Sequence, residues 1–182
     1  MGNMKKLFFR EHFEKYKRLV DKIDHKKVEN LYSQIKRLKK KDKILIFGNG
    51  AGASIASHFS NDLTNVANIR TLSFDNSAQL TCLANDYGYE NWVKKVIEYY
   101  ATKKDLIILI SASGESENMI KAAKFCKFKQ IKFFSLTGFK KNNKLNKNSK
   151  QHLWIDSMSY NKVELIQLLI LLSIVDRLNV NN

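Results

Sequence analysis

A chain of 182 residues is long enough for one domain, or a domain with a helical arm, and it can bury a single core of ordinary size. Its 32 Lys and Arg against 17 Asp and Glu leave a formal charge of +15, nearly all of the excess being lysine. No stacking-aromatic platform or nucleic-acid motif accompanies that charge, so it reads as a solvated lysine-rich surface and excludes nucleic acid as the expected partner. The longest apolar run, residues 165–175, is too short to span a bilayer, and the charged start has no apolar signal region, so no membrane is expected. Two cysteines, Cys82 and Cys126, make no disulfide framework; a reducing cytoplasm fits them, and both read as small apolar core residues.

In chain order, residues 5–40 read as helical in one or two segments, with a break near 24–26. Apolar Leu19, Val20, Ile23, Val28, Leu31, Tyr32, Ile35 and Leu38 recur there at three- and four-residue steps. KILIF (43–47) is a strand and 51–63 a helix. Residues 69–74 form a second strand, 76–85 a short helix and 89–100 another. DLIILIS (105–111) is a continuously apolar strand, as in a parallel sheet covered on both faces. A helix over 115–126, a strand over 131–138, a polar loop or short helix over 139–150, a strand over 152–156 and a long apolar helix over 162–178 complete the chain. Strands alternating with helices predict an α/β fold, a doubly wound sheet with helices on both faces. Residues 1–40 are the expected helical arm and 41–182 the single domain it packs on.

Two turns then stand out. Gly48, Gly50 and Gly52 lie where the first strand hands over to a helix. Glycine lets a ligand approach the main chain, and the N–H groups that open the helix favour an anion. The spacing is neither the dinucleotide fingerprint nor a phosphate-binding P-loop. Tight packing explains such glycines equally well. After the third strand comes SASGESENMIKAA, with Ser111, Ser113 and Ser116 around Gly114 at the mouth of another helix. One serine suffices to cap a helix; three with a glycine suit a phosphate monoester held by hydroxyl and backbone donors. Together the two turns predict a sugar-phosphate site.

The segments FGNGAGASIASHFSNDL, LANDYGYEN, LISASGESENMIKAA and SLTG, with the final helix, resemble the SIS (sugar isomerase) domain family, and are most similar to its phosphoheptose isomerases. The resemblance covers about residues 43–178. It implies a flavodoxin-like, mainly parallel five-stranded sheet and a homotetramer (or homodimer) with sites built between subunits. It also implies aldose–ketose isomerisation between sedoheptulose 7-phosphate and a D-glycero-D-manno-heptose 7-phosphate, or a related phosphosugar, in surface polysaccharide (lipopolysaccharide or capsule) assembly. Residue by residue, the family's phosphate cradle falls on Ser111, Ser113 and Ser116, and its substrate-facing asparagine on Asn49, next to Gly50. The carboxylate after the second strand falls on Asp75, and the Asn-Asp-x-Gly segment on Asn85, Asp86 and Gly88.

This chain departs from the family pattern where the chemistry lies. The family's GNGGS is GNGAG here, and its S-T-S-G has Ala112 in place of threonine. Its catalytic glutamate falls on Asp62, one methylene shorter, and its last-helix Gln and catalytic His fall on Glu164 and Leu172. The expected acid–base pair is therefore Asp62 and Glu164, two carboxylates whose pKa values one substrate would split. No cofactor is required by this chemistry. Some family members bind zinc at these positions, which here offer His58, Asp62 and Glu164, with His58 and Asp62 one helical turn apart. The competing expectation is a hydrogen-bonded His58–Asp62 pair at a subunit interface. The alternative to an isomerase is a sugar-phosphate-binding regulatory or adaptor protein of the same fold, without catalysis; a nucleic-acid-associated role is the least expected.

Overall fold

The computed structural model describes residues 2–180, with side chains from residue 7 onward. Two helices lead, α1 (Gly2–Asp21) and α2 (His25–Lys36), followed by β1 (Ile44–Phe47), α3 (Ala51–Asn65), β2 (Thr71–Ser73), α4 (Ser77–Tyr87) and α5 (Trp92–Tyr100). Then come β3 (Leu106–Ser111), α6 (Glu117–Lys129), β4 (Lys132–Thr137), α7 (Lys144–Asn148), β5 (His152–Trp154) and α8 (Tyr160–Val180). The break between α1 and α2 falls where Asp24 caps α2, its carboxylate accepting from the Lys27 amide at 3.3 Å. The polar stretch over 139–150 holds the short helix α7, opened by the Asn143 side chain accepting from the Asn146 amide.

The five strands form one parallel sheet in the order β2-β1-β3-β4-β5, a doubly wound flavodoxin-like α/β fold. Strand side chains alternate between faces, and both faces are covered. Ile44, Ile46, Leu106, Ile108 and Ile110 pack on one side with Leu31 and Ile35 of α2, Phe59 and Leu63 of α3, and Val163, Ile170 and Ile174 of α8. Leu45, Phe47, Ile107 and Leu109 pack on the other with Trp92 and Val96 of α5 and Met119 and Ala122 of α6. Every residue of β3 is buried, which explains its unbroken apolar run. Of the cysteines, Cys126 lies in this second core, where burial pushes its thiol up to about 12. Cys82 corrects the sequence-based expectation: it is exposed, because α4 buries only Leu83.

At the amino ends of β1 and β3, Asp105 ties the sheet together. Its side chain is 1 % exposed and accepts from the Lys43 amide (2.9 Å), Lys43 Nζ (2.8 Å), the Thr102 amide (2.7 Å) and Thr102 Oγ1 (2.9 Å). Burial alone would raise this carboxyl's pKa; the bonds from Lys43 and Thr102 outweigh it and hold the pKa below the ordinary carboxylate value. A depressed folded pKa contributes stability that is present above the unfolded pKa and is lost as pH falls through the folded one. Asp105→Asn is therefore expected to lower the unfolding free energy at pH 7 by about 2 kcal/mol, and to reduce the stability lost on acidification, both read from urea midpoints at pH 7 and pH 4.

Candidate active site

In a sheet of this order the strand sequence reverses between β1 and β3, so a crevice opens beyond their carboxyl ends. The turns singled out in the sequence meet there. A cleft of about 120 Å³ is lined by Asn49 and Gly52 after β1, by Ser111, Ala112, Ser113 and Ser116 after β3, and by Tyr160, Glu164 and Gln167 of α8.

The serine turn is organised around the N-terminus of α6. Ser111 Oγ donates to Ser116 Oγ at 3.0 Å and accepts from the Gly114 amide at 3.2 Å; Ser113 Oγ accepts from the Glu115 amide at 3.2 Å. Ser116 sits at the N-cap of α6, yet its side chain makes no capping bond. The first N–H groups of that helix therefore keep their capacity for an anion, with three hydroxyls beside them. No Lys or Arg lines the cleft, so an anion there is held by neutral donors and the helix end.

Asn49 is oriented by a reciprocal amide pair with Asn118 of α6, at 3.1 and 2.9 Å, and by Tyr89, whose hydroxyl donates to Asn49 Oδ1 at 3.1 Å. Asn118, Tyr89, Tyr160 and Gln167 are absent from the residues singled out in the sequence. Tyr160 and Gln167 stand four before and three after Glu164, on one face of α8, and that helical spacing is the signal that identifies them. Gln167 is fully buried; its Nε2 donates to the Leu136 carbonyl at 3.1 Å, and its Oε1 has no partner in the chain. Glu164 is the one charged group on the cleft, and burial raises its carboxyl above the ordinary glutamate value.

Other predicted site residues lie elsewhere. Gly50 opens α3 beside the cleft, exposed, at φ +55°. Asp75 follows the carboxyl end of β2 on the surface, 3.5 Å from Ser73 Oγ. Asn85 and Asp86 are exposed in the last turn of α4, bonded to each other at 3.0 Å. Asp62 does not line this cleft: eleven residues beyond the start of α3, it stands about 16 Å along the helix. There His58 Nε2 meets its carboxylate at 3.2 Å. The expected ligand set His58, Asp62 and Glu164 is not gathered within one chain. Among the described residues no three His, Cys, Asp or Glu side chains gather closely enough to hold an ion, because Glu164 faces the serine turn while His58 and Asp62 pair farther down α3.

Known proteins resemble this chain in sequence and in fold. The SIS domain profile matches residues 9–138. The phosphoheptose isomerase of Helicobacter pylori (strain P12) is 37% identical over 137 residues, 71% of each chain. The structure of the phosphoheptose isomerase GmhA from Neisseria gonorrhoeae superposes with a TM-score of 0.86 at 21% identity, covering 95% of this chain and 98% of that one. A phosphoheptose isomerase from Francisella tularensis superposes at 0.84 with 20% identity, covering 98% of both. The two structures share the fold; the sequence matches, spanning both glycine and serine turns, carry the relationship, and the chain belongs to the SIS domain family.

Proposed function

We propose that this protein is a sugar-phosphate isomerase of the phosphoheptose type, interconverting sedoheptulose 7-phosphate and D-glycero-D-manno-heptose 7-phosphate or a close analogue. One observation carries the reading: the uncapped N-terminus of α6 and three serines face Glu164 across a cleft at the switch point of the sheet. The phosphate binds at Ser111, Ser113 and Ser116, and Asn49 meets the sugar. A carboxylate base, Asp62, takes the proton from C1 of the ketose as Glu164 delivers one to O2, giving an enediol. Asp62 then returns its proton to C2, and the O1 proton passes to Glu164, regenerating both groups.

The small volume of the cleft supports an assembly of several copies, a homotetramer or homodimer. Ligand pockets commonly hold roughly 300–1,000 Å³, and 120 Å³ accommodates the phosphate end alone. α8 carries exposed Leu165 (51 %) and Leu169 (43 %), and α1 exposes Phe8, Phe9 and Phe13. Apolar patches of this kind suit burial against a second copy. In this reading Asp62 serves the cleft of a partner.

The test is incubation with sedoheptulose 7-phosphate in deuterated water, followed by NMR. Conversion with deuterium entering C1 and C2 is expected, and its loss in Asp62→Asn. Binding without exchange would leave a phosphosugar-binding protein and sink the isomerase. Mixed refolding of Asp62→Asn with Glu164→Gln is expected to restore part of the activity that each lacks alone. No restoration means that each site takes both carboxylates from one chain.

A further inference from the structure

At the opposite pole of the sheet, where the strands begin, lies a second and larger concavity of about 750 Å³. Its rim is cationic. Arg37 and Lys39 follow α2, Lys103 and Lys104 precede β3, Lys127 stands in the last turn of α6, Lys132 opens β4 and Lys150 precedes β5. None of the ion pairs among the described residues uses any of these seven. Elsewhere the chain does pair its cations: Lys22 with Asp156, Lys43 with Asp105, Lys95 with Glu98, Lys121 with Glu90 and Lys144 with Glu115. The sole acidic residue on the rim is Asp42, whose carboxylate is bonded to the Lys39 amide at 3.0 Å.

Lysines near helix C-termini often do no more than complement the helix dipole, and α2 and α6 both end here. Each such end supplies roughly half a negative charge. With Asp42 added, about five positive charges on the rim still lack a counter-charge. The floor differs in kind: Leu38, Leu106, Cys126, Ile131 and Phe133 line it, and Leu106 and Cys126 are all but fully buried. Leu38 and Phe133 keep part of their surface accessible there. A cationic rim over an apolar floor is complementary to one molecule that joins several phosphate charges to a flat, weakly polar body. The catalytic cleft has the opposite character, with no cation and a carboxylate on its wall.

We infer that this groove binds a nucleoside di- or triphosphate, its phosphates on the lysine rim and its base on the Leu38–Phe133 floor, at a site separate from the phosphosugar cleft. A phosphate monoester offers too few charges for this rim. A single-stranded nucleic acid would call for successive aromatic platforms, whereas the groove presents Phe133 alone. β3 runs from the groove at Leu106 to the cleft at Ser111, so one rigid strand has an end in each.

The test is calorimetric titration of the full chain with ATP, ADP, AMP and inorganic tripolyphosphate in 50 mM salt, repeated with ATP in 300 mM. ATP and ADP are expected to bind, at least tenfold more tightly than AMP, and ATP affinity to fall at least tenfold at the higher salt. Two variants on different elements, K103E/K104E and K39E/K150E, are each expected to lose at least tenfold. The control K15E/K17E/K26E, which reverses three cations outside the groove, is expected to change affinity less than twofold. Excess sedoheptulose 7-phosphate should leave ATP binding unchanged, a readout that needs no isomerase activity. Several results overturn the assignment: no ATP binding at 50 mM salt, displacement by the phosphosugar, tripolyphosphate binding as tightly as ATP, or equal losses in the control variant. Tighter binding of a ten-nucleotide single strand than of ATP also overturns it, in favour of nucleic acid.

Discussion

Glu164→Gln is expected to lower kcat for sedoheptulose 7-phosphate by about 10²–10⁴-fold, the range for removing a general acid, while KM changes only a few-fold. Glutamine keeps the size and hydrogen-bonding reach of the side chain and removes only its exchangeable proton. Glutamine is also the residue that the sequence resemblance leads one to expect at this position, which sharpens the test. If position 164 serves only to bind the sugar, the variant works as well as the parent, and the acid must be sought elsewhere. If Glu164 is the acid, activity falls, because glutamine has no proton to deliver.

The surroundings of Glu164 favour the acid role. Burial already raises its pKa, and the cleft holds no cation that would lower it again. A phosphate on the serine turn brings further negative charge to the same cleft, which disfavours ionisation of the carboxyl once more. The proton is thus retained best when substrate is bound. The kcat profile of the parent should fall on its alkaline side as Glu164 ionises, and that limb should vanish in Glu164→Gln. The same shift bears on folding. A carboxyl whose folded pKa is raised contributes stability fully present below its unfolded pKa and lost as pH rises through the folded value. Glu164→Gln should therefore have a higher Tm than the parent at pH 8 and a similar Tm at pH 4, measured by differential scanning calorimetry. A gain in stability paired with a loss of turnover is the mark of a strained functional group rather than a structural one.

The sheet was legible because its strands announce their surroundings. β3 is apolar at every position, and only a strand covered on both faces tolerates that. The two turns were legible because each carries its own chemistry at the carboxyl end of a strand; that they share one crevice follows from the sheet order, which sets β1 beside β3. The partners that hold the site together were harder to read. Asn118 is one more polar residue in a helix until its amide is seen paired with Asn49 across 69 positions of sequence. Tyr160 and Gln167 belong to a helix so apolar that its cleft-facing stripe is masked by the residues that serve the core. Asp62 shows a different limit. A motif carries residue identity from one family member to another, but it does not say which copy of the chain a side chain serves. Cys82 followed a composition rule, and α4 is too shallowly packed for the rule to hold.

Gly48→Ala is expected to cost at least about 3 kcal/mol, the upper range for overpacking, and to abolish phosphosugar binding in whatever protein still folds. A Cβ at Gly48 would fall inside the carbonyl carbon and oxygen of Gly52 and stand 2.8 Å from the Ala53 amide nitrogen. All three atoms are backbone in the first turn of α3, so no rotamer change relieves the contact. Either β1 or the start of α3 must move, and with it Asn49, which the intervening turn presents to the cleft. Its two neighbours are constrained differently. Gly50 has open space around its Cβ direction but sits at φ +55°, ψ −122°, outside the left-handed helical well and open chiefly to glycine, so Gly50→Ala meets a backbone penalty alone, roughly 1–3 kcal/mol. Gly52 has ordinary backbone angles, and a Cβ there would come to 3.4 Å from Ile110 Cγ2, a contact a small adjustment of that side chain absorbs. Denaturant unfolding should thus rank the losses Gly48→Ala, then Gly50→Ala, then Gly52→Ala. A Gly48→Ala protein as stable as the parent would show that the turn can open without penalty, and the glycine would then owe its place to the ligand instead of the fold.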